Sequence, residues 1–241
     1  MPTKTGTIAQ VEAAAESGTD SITVPADCEL IEAHSFQYNG GGGNTLSTLT
    51  LDGDPFTIPV NTAESGGIQG QVVAHLSNPS TSTQTLAWDW VDSDSMDEGG
   101  EIGLIFWKEV DLAGPVRDSD SDGATSDNLP GPLSLTTIAT DAVAGMGMCS
   151  DSNPGDNPDL GISGQTVLVN NWGYTIHVID IAEVDSPGAS STSFGMLDNA
   201  NNLEYSAISA IAIIHVPAAG AIMNQMQGSN LGSDLYNGTL Q

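Results

Sequence analysis

Short stretches of alternating apolar and polar residues recur along almost the whole chain, separated by clusters of Gly, Asn, Asp, Ser and Pro. "TLAWDWV" (85–91) is the cleanest of them. Leu86, Trp88 and Trp90 fall on one face and Thr85, Ala87 and Asp89 on the other, which is the period of a half-buried strand. "EIGLIFWKEV" (101–110) is apolar on both faces and predicts a strand lying between two layers. In that strand Ile102, Leu104 and Phe106 should face one way, and Ile105 and Trp107 the other. Further strands are predicted in "SITVPA" (21–26), "LIEAHSFQY" (30–38), "GIQGQVVAHLS" (67–77), "LSLTTIAT" (133–140), "AVAGMGMCS" (142–150), "QTVLVNNW" (165–172), "YTIHVIDIAE" (174–183), "SSTSFGML" (190–197) and residues 208–216. "LSTLTLDGDPFTIPV" (46–60) reads as two short strands joined at Asp52-Gly53, because an Asp-Gly pair accepts the positive φ angles of a tight hairpin turn. One stretch, "IAQVEAAAES" (8–17), has helical character.

Many short strands joined by turn clusters predict an all-β fold, a two-sheet antiparallel sandwich of jelly-roll type with extended N- and C-terminal tails. The division is an N-terminal arm over 1–20, a sandwich domain over 21–217 and a C-terminal arm over 218–241, with no internal repeat in the sequence. Both arms are small, polar and Gly-rich. Alone in water such segments fray. They need a surface to lie on, either a neighbouring subunit or their own domain. The apolar anchors beyond residue 220 are Ile222, Met223, Met226, Leu231, Leu235 and Tyr236, and these are the candidate assembly contacts.

Charge narrows the range of partners. The chain holds 31 Asp plus Glu against 3 Lys plus Arg, a formal net charge of −28. The cations are Lys4, Lys108 and Arg117. Such a surface repels nucleic acid and anionic lipid, so neither is an expected partner. The uncharged stretch 206–223 is interrupted by His215 and Pro217, and reads as a buried strand rather than a membrane span. The N-terminus carries no apolar run of signal-peptide length. Cys28 and Cys149 form no metal-ligand pattern and are expected as free, buried thiols.

Candidate chemistry is sparse. "DSDSDGATSDNL" (118–129) places Asp118, Asp120, Asp122 and Gly123 where a twelve-residue calcium loop needs them, and Asp127 nearby. Leu129 stands where the bidentate Glu should be, and the prolines at 115 and 130 exclude flanking helices. The segment is therefore expected as a solvated, outward-facing tip, and Ca²⁺ is the one cofactor left open. His34, His75, His177 and His215 each fall inside a predicted strand but at no ligand spacing. No nucleophile elbow, zinc-protease, phosphate-loop or dinucleotide motif is present, so no catalytic residue is assigned. Core packing is the expected role of the tryptophans Trp88, Trp90 and Trp107.

The order of "SITVPAD", "LTLDGDPFTI", "VVAHLSNPSTSTQTLAWDWV", "GLIFWKEVDLAGPVRDSDSDG" and "LSLTTIATDAVAG" resembles that of a group of β-sandwich proteins found in tailed-phage genomes and marine bacteria. The resemblance covers residues 20–217 as a pattern. It implies a non-enzymatic virion structural protein, foremost a capsid decoration or cement subunit. The implied partners are the major capsid protein and copies of itself, and the implied location is the virion, assembled in the host cytoplasm. A receptor- or carbohydrate-binding module of a tail fibre or cell surface is the alternative.

Overall fold

In a computed structural model the described residues are 1–216, apart from 14, 39–44, 64–68, 92–99, 126–129, 151–159, 175–176 and 197–204. They contain strands and no helix, and so no helix long and apolar enough to cross a membrane. In chain order the strands are β1 (Thr3–Lys4), β2 (Ala9–Ala13), β3 (Ser17–Val24), β4 (Leu30–Tyr38), β5 (Thr45–Leu51), β6 (Asp54–Pro55), β7 (Thr57–Ala63), β8 (Gln69–Ser77), β9 (Ser82–Val91), β10 (Gly100–Lys108), β11 (Val116–Thr125), β12 (Leu133–Thr136), β13 (Ala142–Ser150), β14 (Gln165–Tyr174), β15 (His177–Val184), β16 (Ser191–Phe194) and β17 (Tyr205–Ile213).

These strands form four antiparallel sheets rather than the two expected. The first outer sheet has the order β3-β9-β5-β6. The first inner sheet runs β10-β4-β8-β7, with β1 and β2 both on the free side of β10. The second inner sheet is β11-β17-β13-β15-β14, and the second outer sheet is the pair β12-β16. Three apolar clusters hold the layers together. Ile22, Leu49, Leu86 and Trp88 of the first outer sheet pack on Ile31, Val72, Ile102 and Phe106 of the first inner sheet. The opposite face of that inner sheet, with Leu30, Phe36, Val73, Ile105 and Trp107, packs on Met146, Ile179, Ile181 and Ile211. Beyond these, Val143, Ala182 and Ile208 pack on Leu133, Leu135 and Phe194 of the second outer sheet. A two-sheet sandwich needs one inner face per strand. Two inner sheets buried on both faces need strands that are apolar throughout, and β10, β13 and β17 supply them.

Strand β10 lies where its pattern predicts, with Ile102, Leu104 and Phe106 in one cluster and Ile105 and Trp107 in the next. Gly103 marks how closely the inner sheets approach, since a Cβ there would meet Ile181 Cδ1 at 2.8 Å. The Asp52-Gly53 turn also forms as expected. Both residues have positive φ, 48° and 92°, and Leu51 pairs with Asp54.

Two segments differ from expectation. Residues 9–13 form β2 in antiparallel register with β10, Val11 opposite Ile102, instead of a helix. Val11 and Ala13 are buried there, and this pairing outweighs the modest helical preference of Ala and Glu. The acidic run at 117–125 is no loop tip. It forms β11, an edge strand paired with β17 from Val116 to Thr125.

The strand pairing repeats along the chain. In the first half β3 pairs β9, β4 pairs β8 and β5 pairs β9. In the second half β11 pairs β17, β12 pairs β16 and β13 pairs β17. The order of pairing is the same although the sequence shows no repeat, because a sheet constrains only which side chains point inward.

Candidate functional site

The second, fourth and sixth side chains after Leu30 point with it toward the second inner sheet. They are Glu32, His34 and Phe36. Glu32 and His34 are fully buried, an arrangement that requires partners. Trp107 Nε1 donates to Glu32 Oε2 at 2.7 Å, and the other carboxylate oxygen bonds His34 Nε2. His34 Nδ1 lies 2.8 Å from Ser209 Oγ on β17. The result is an acid–imidazole–hydroxyl chain crossing from one inner sheet to the other. Its members are those of a nucleophile relay. None of Glu32, His34, Trp107 or Ser209 is more than 1% exposed, so no substrate reaches the hydroxyl in this arrangement. What the chain does is tie the two halves of the molecule together with a buried hydrogen bond between His34 and Ser209. His34→Leu should cost about 1–3 kcal/mol by leaving buried polar atoms unpaired. Adding Ser209→Ala should recover part of that loss in urea melts. A double variant no more stable than the single one would mean that the Ser209 bond contributes nothing.

Other polar side chains on the same face are less well matched. Glu101 flanks Phe36 on one side and Gln71 flanks it on the other. Both are fully buried, and neither side chain has a hydrogen-bond partner among the described residues. Burial first, and then the like charge of Glu12 on β2, push the Glu101 carboxyl up to about 8. His75, cross-strand from Glu32, is pulled below its ordinary value by burial.

The aspartates of β11 point toward the second outer sheet. Thr136 N donates to Asp118 Oδ2 at 2.6 Å, and Gly131 N donates to Asp122 Oδ2 at 2.9 Å. Asp120 Oδ1 accepts from Ser121 N. Alternate residues on a strand lie about 6.6–6.8 Å apart. Asp118, Asp120 and Asp122 are thus strung along the edge rather than gathered round one point, whereas a calcium ion holds its oxygens at about 2.3–2.6 Å. Asp127 lies outside the described residues, as do Ile222, Met223, Met226, Leu231, Leu235 and Tyr236. Among the described residues no three His, Cys, Asp or Glu side chains could hold a metal together. Calorimetric titration with Ca²⁺ should therefore reveal no saturable site tighter than about 10⁻⁵ M. A tighter site that disappeared in Asp120→Ala would restore the calcium reading.

All three cations are matched to carboxylates. Lys4 pairs with Glu183 at 2.6 Å, Lys108 with Asp27 at 2.8 Å, and Arg117 with Asp141 at 2.5 Å. The last is the structural one. Asp141 is fully buried and takes two bonds from the Arg117 guanidinium, besides one from Ile138 N. Elsewhere in the second half, Gln165 Nε2 donates to Leu160 O and Gly195 O, and its Oε1 accepts from Gly195 N. Trp88, Trp90 and Trp107 are buried in the cores. Cys28 and Cys149 are buried and not joined in a disulfide, and burial raises the Cys28 thiol to about 11, well away from reactivity.

Fold and site together define an all-β stack of antiparallel sheets whose buried polar groups join one layer to the next. Comparison with known protein families, with curated proteins and with solved structures found no match.

Proposed function

We propose that this chain is a non-enzymatic structural protein of a virion, a capsid decoration or cement subunit whose partners are the major capsid protein and further copies of itself. The observation that carries this reading is the fate of the Glu32–His34–Ser209 chain. The arrangement nearest to catalytic chemistry is sealed between the inner sheets and joins two halves of a scaffold. Each half is read as a jelly-roll-type sandwich, with first strand on last and second on next-to-last. The charge balance supports protein partners over nucleic acid or an anionic membrane, because each of the three cations already has a carboxylate. A carbohydrate-binding role is less favoured because three tryptophans, Trp88, Trp90 and Trp107, are core residues and offer no stacking platform. The reading requires no cofactor, and it places the assembly anchors in the C-terminal arm, at Ile222, Met223, Met226, Leu231, Leu235 and Tyr236.

Particles banded on a density gradient and probed with antibody to this chain test the proposal. The chain should co-band with the particles in stoichiometric amount and stay there after a salt wash. Its presence only in the soluble fractions would overturn the virion reading. A chain lacking residues 219–241 should still fold and should no longer band with the particles. Normal incorporation of that variant would remove the arm from the proposal.

A further inference from the structure

The N-terminal segment covers the edge of β10 as a strap fastened at both ends. On one side Thr5 N donates to Phe106 O at 2.9 Å, and Lys4 pairs with Glu183 of the second half. On the other, Trp90 N donates to Glu16 O at 2.7 Å and Trp88 Nε1 to Ala15 O at 3.1 Å. Between these anchors lies β2, a five-residue strand paired only with β10. It is held by that ladder and by two small buried side chains, Val11 and Ala13, in the cluster shared with the first outer sheet. A short edge strand of this kind is the part of a sheet that opens most readily.

On its other face β2 sets an acid against an acid. Glu12 stands directly opposite Glu101 in the ladder. Glu12 is exposed, so the second inner sheet does not reach over β2, and Glu101 lies one strand inside the rim of the joint. The Glu101 carboxyl is fully buried, and neither of its oxygens has a hydrogen-bond partner among the described residues. No neighbouring cation compensates it. Lys4 is matched to Glu183. On β4, Glu32 and His34 bond each other, Trp107 and Ser209. His75 on β8 stands beyond β4, across from Glu32. Across the joint, the positions of β11, β13 and β17 on the same face as Ser209, among them Ser121 and Met146, carry no charge. The side chains of Tyr38, His177 and Tyr205 lie outside the described residues. A carboxyl so placed keeps its proton while β2 is down. With β2 lifted, β10 becomes the edge strand and water reaches the carboxyl from the rim.

We propose that β2 is a proton-held strap: it stays on β10 while Glu101 is protonated, and loss of that proton lets it lift between its two anchors and bare the Gly100–Leu104 edge of β10. A bared edge is a row of unpaired backbone groups able to accept another strand. The closed form binds the proton more tightly than the open form, so opening releases a proton and is favoured as pH rises. Opening should grow by about tenfold per pH unit between the ordinary carboxyl value of 4.5 and the closed-form value of about 8, and level off above it. This inference stands apart from the virion reading and does not require it.

Amide hydrogen exchange of the full chain and of Glu101→Gln, from about pH 5.5 to about 7.5 and corrected for the intrinsic pH dependence of exchange, tests it. In the unmodified chain residues 9–13 should exchange ahead of Leu30–Tyr38 at every pH. Their protection should fall by about a hundredfold over those two pH units. In Glu101→Gln, which has no proton to lose, the protection of residues 9–13 should stay nearly constant over the same range. Residues 9–13 that exchange only as fast as Leu30–Tyr38 would mean that β2 leaves β10 only when the whole fold opens, and would overturn the proposal. So would an equal fall in Glu101→Gln, because another group would then control the strap.

Discussion

Glu101→Gln should stabilise the protein increasingly as pH rises, from almost nothing at pH 4 to about 5 kcal/mol at pH 9. The Glu101 carboxyl is raised from 4.5 to about 8 in the fold, by burial first and by Glu12 second. Between these values the folded state holds a proton that the unfolded chain has released. Unfolding is then favoured by rising pH, so the contribution of Glu101 to stability falls from about pH 4.5 and levels off above about pH 8. A difference of about 3.5 pH units at about 1.36 kcal/mol per unit gives the size of the effect. Glutamine has the same shape and no charge to bury. Urea melts of both proteins at intervals from pH 4 to 9 provide the measurement. The other carboxylates affect both curves alike, so only the gap between them matters. Parallel curves would mean that Glu101 is ionised in the fold and has found a partner.

Phe106→Ala should cost about 3–5 kcal/mol, since it removes a large side chain from a site that cannot collapse. Phe106 is 1% exposed and packs in the cluster between the first outer and first inner sheets. Its strand is held on both sides, by β4 along most of its length and by β1 and β2 on the other edge. The backbone therefore has little freedom to move inward and fill the space. A melting temperature lowered by only a degree or two would show that the layers relax around the cavity, and that β10 is not the rigid element its pairing implies.

The alternation of apolar and polar residues was enough to locate most of the strands, though not β1, β2 or β11. Leu30–Tyr38 is a strand over the whole predicted range, and the Asp52-Gly53 turn and the two buried faces of β10 follow from local chemistry alone. Burial of Trp88 and Trp90 follows from the same period of two. Two segments misled because their local signals were weak against tertiary pairing. Ala9–Ala13 has helical residues but a free edge of β10 to join. The Asp-Ser alternation of β11 reads as solvated on both faces, yet β17 offers a ladder and backbone amides of Gly131 and Thr136 receive two of the carboxylates.

What the sequence determined by itself, outside β2 and β11, is where the long strands lie and which of their side chains point inward, because both depend on neighbours one or two positions away. Only the tertiary structure decided which strands pair, that they build four layers instead of two, and that the second half repeats three of the pairings of the first. Nothing local links Ser209 to His34, which stand 175 residues apart and meet because two sheets pack face to face. The same holds for Glu101. A glutamate at the start of a strand is ordinarily solvated, and it becomes a buried acid with a raised pKa only when a second sheet closes over that face.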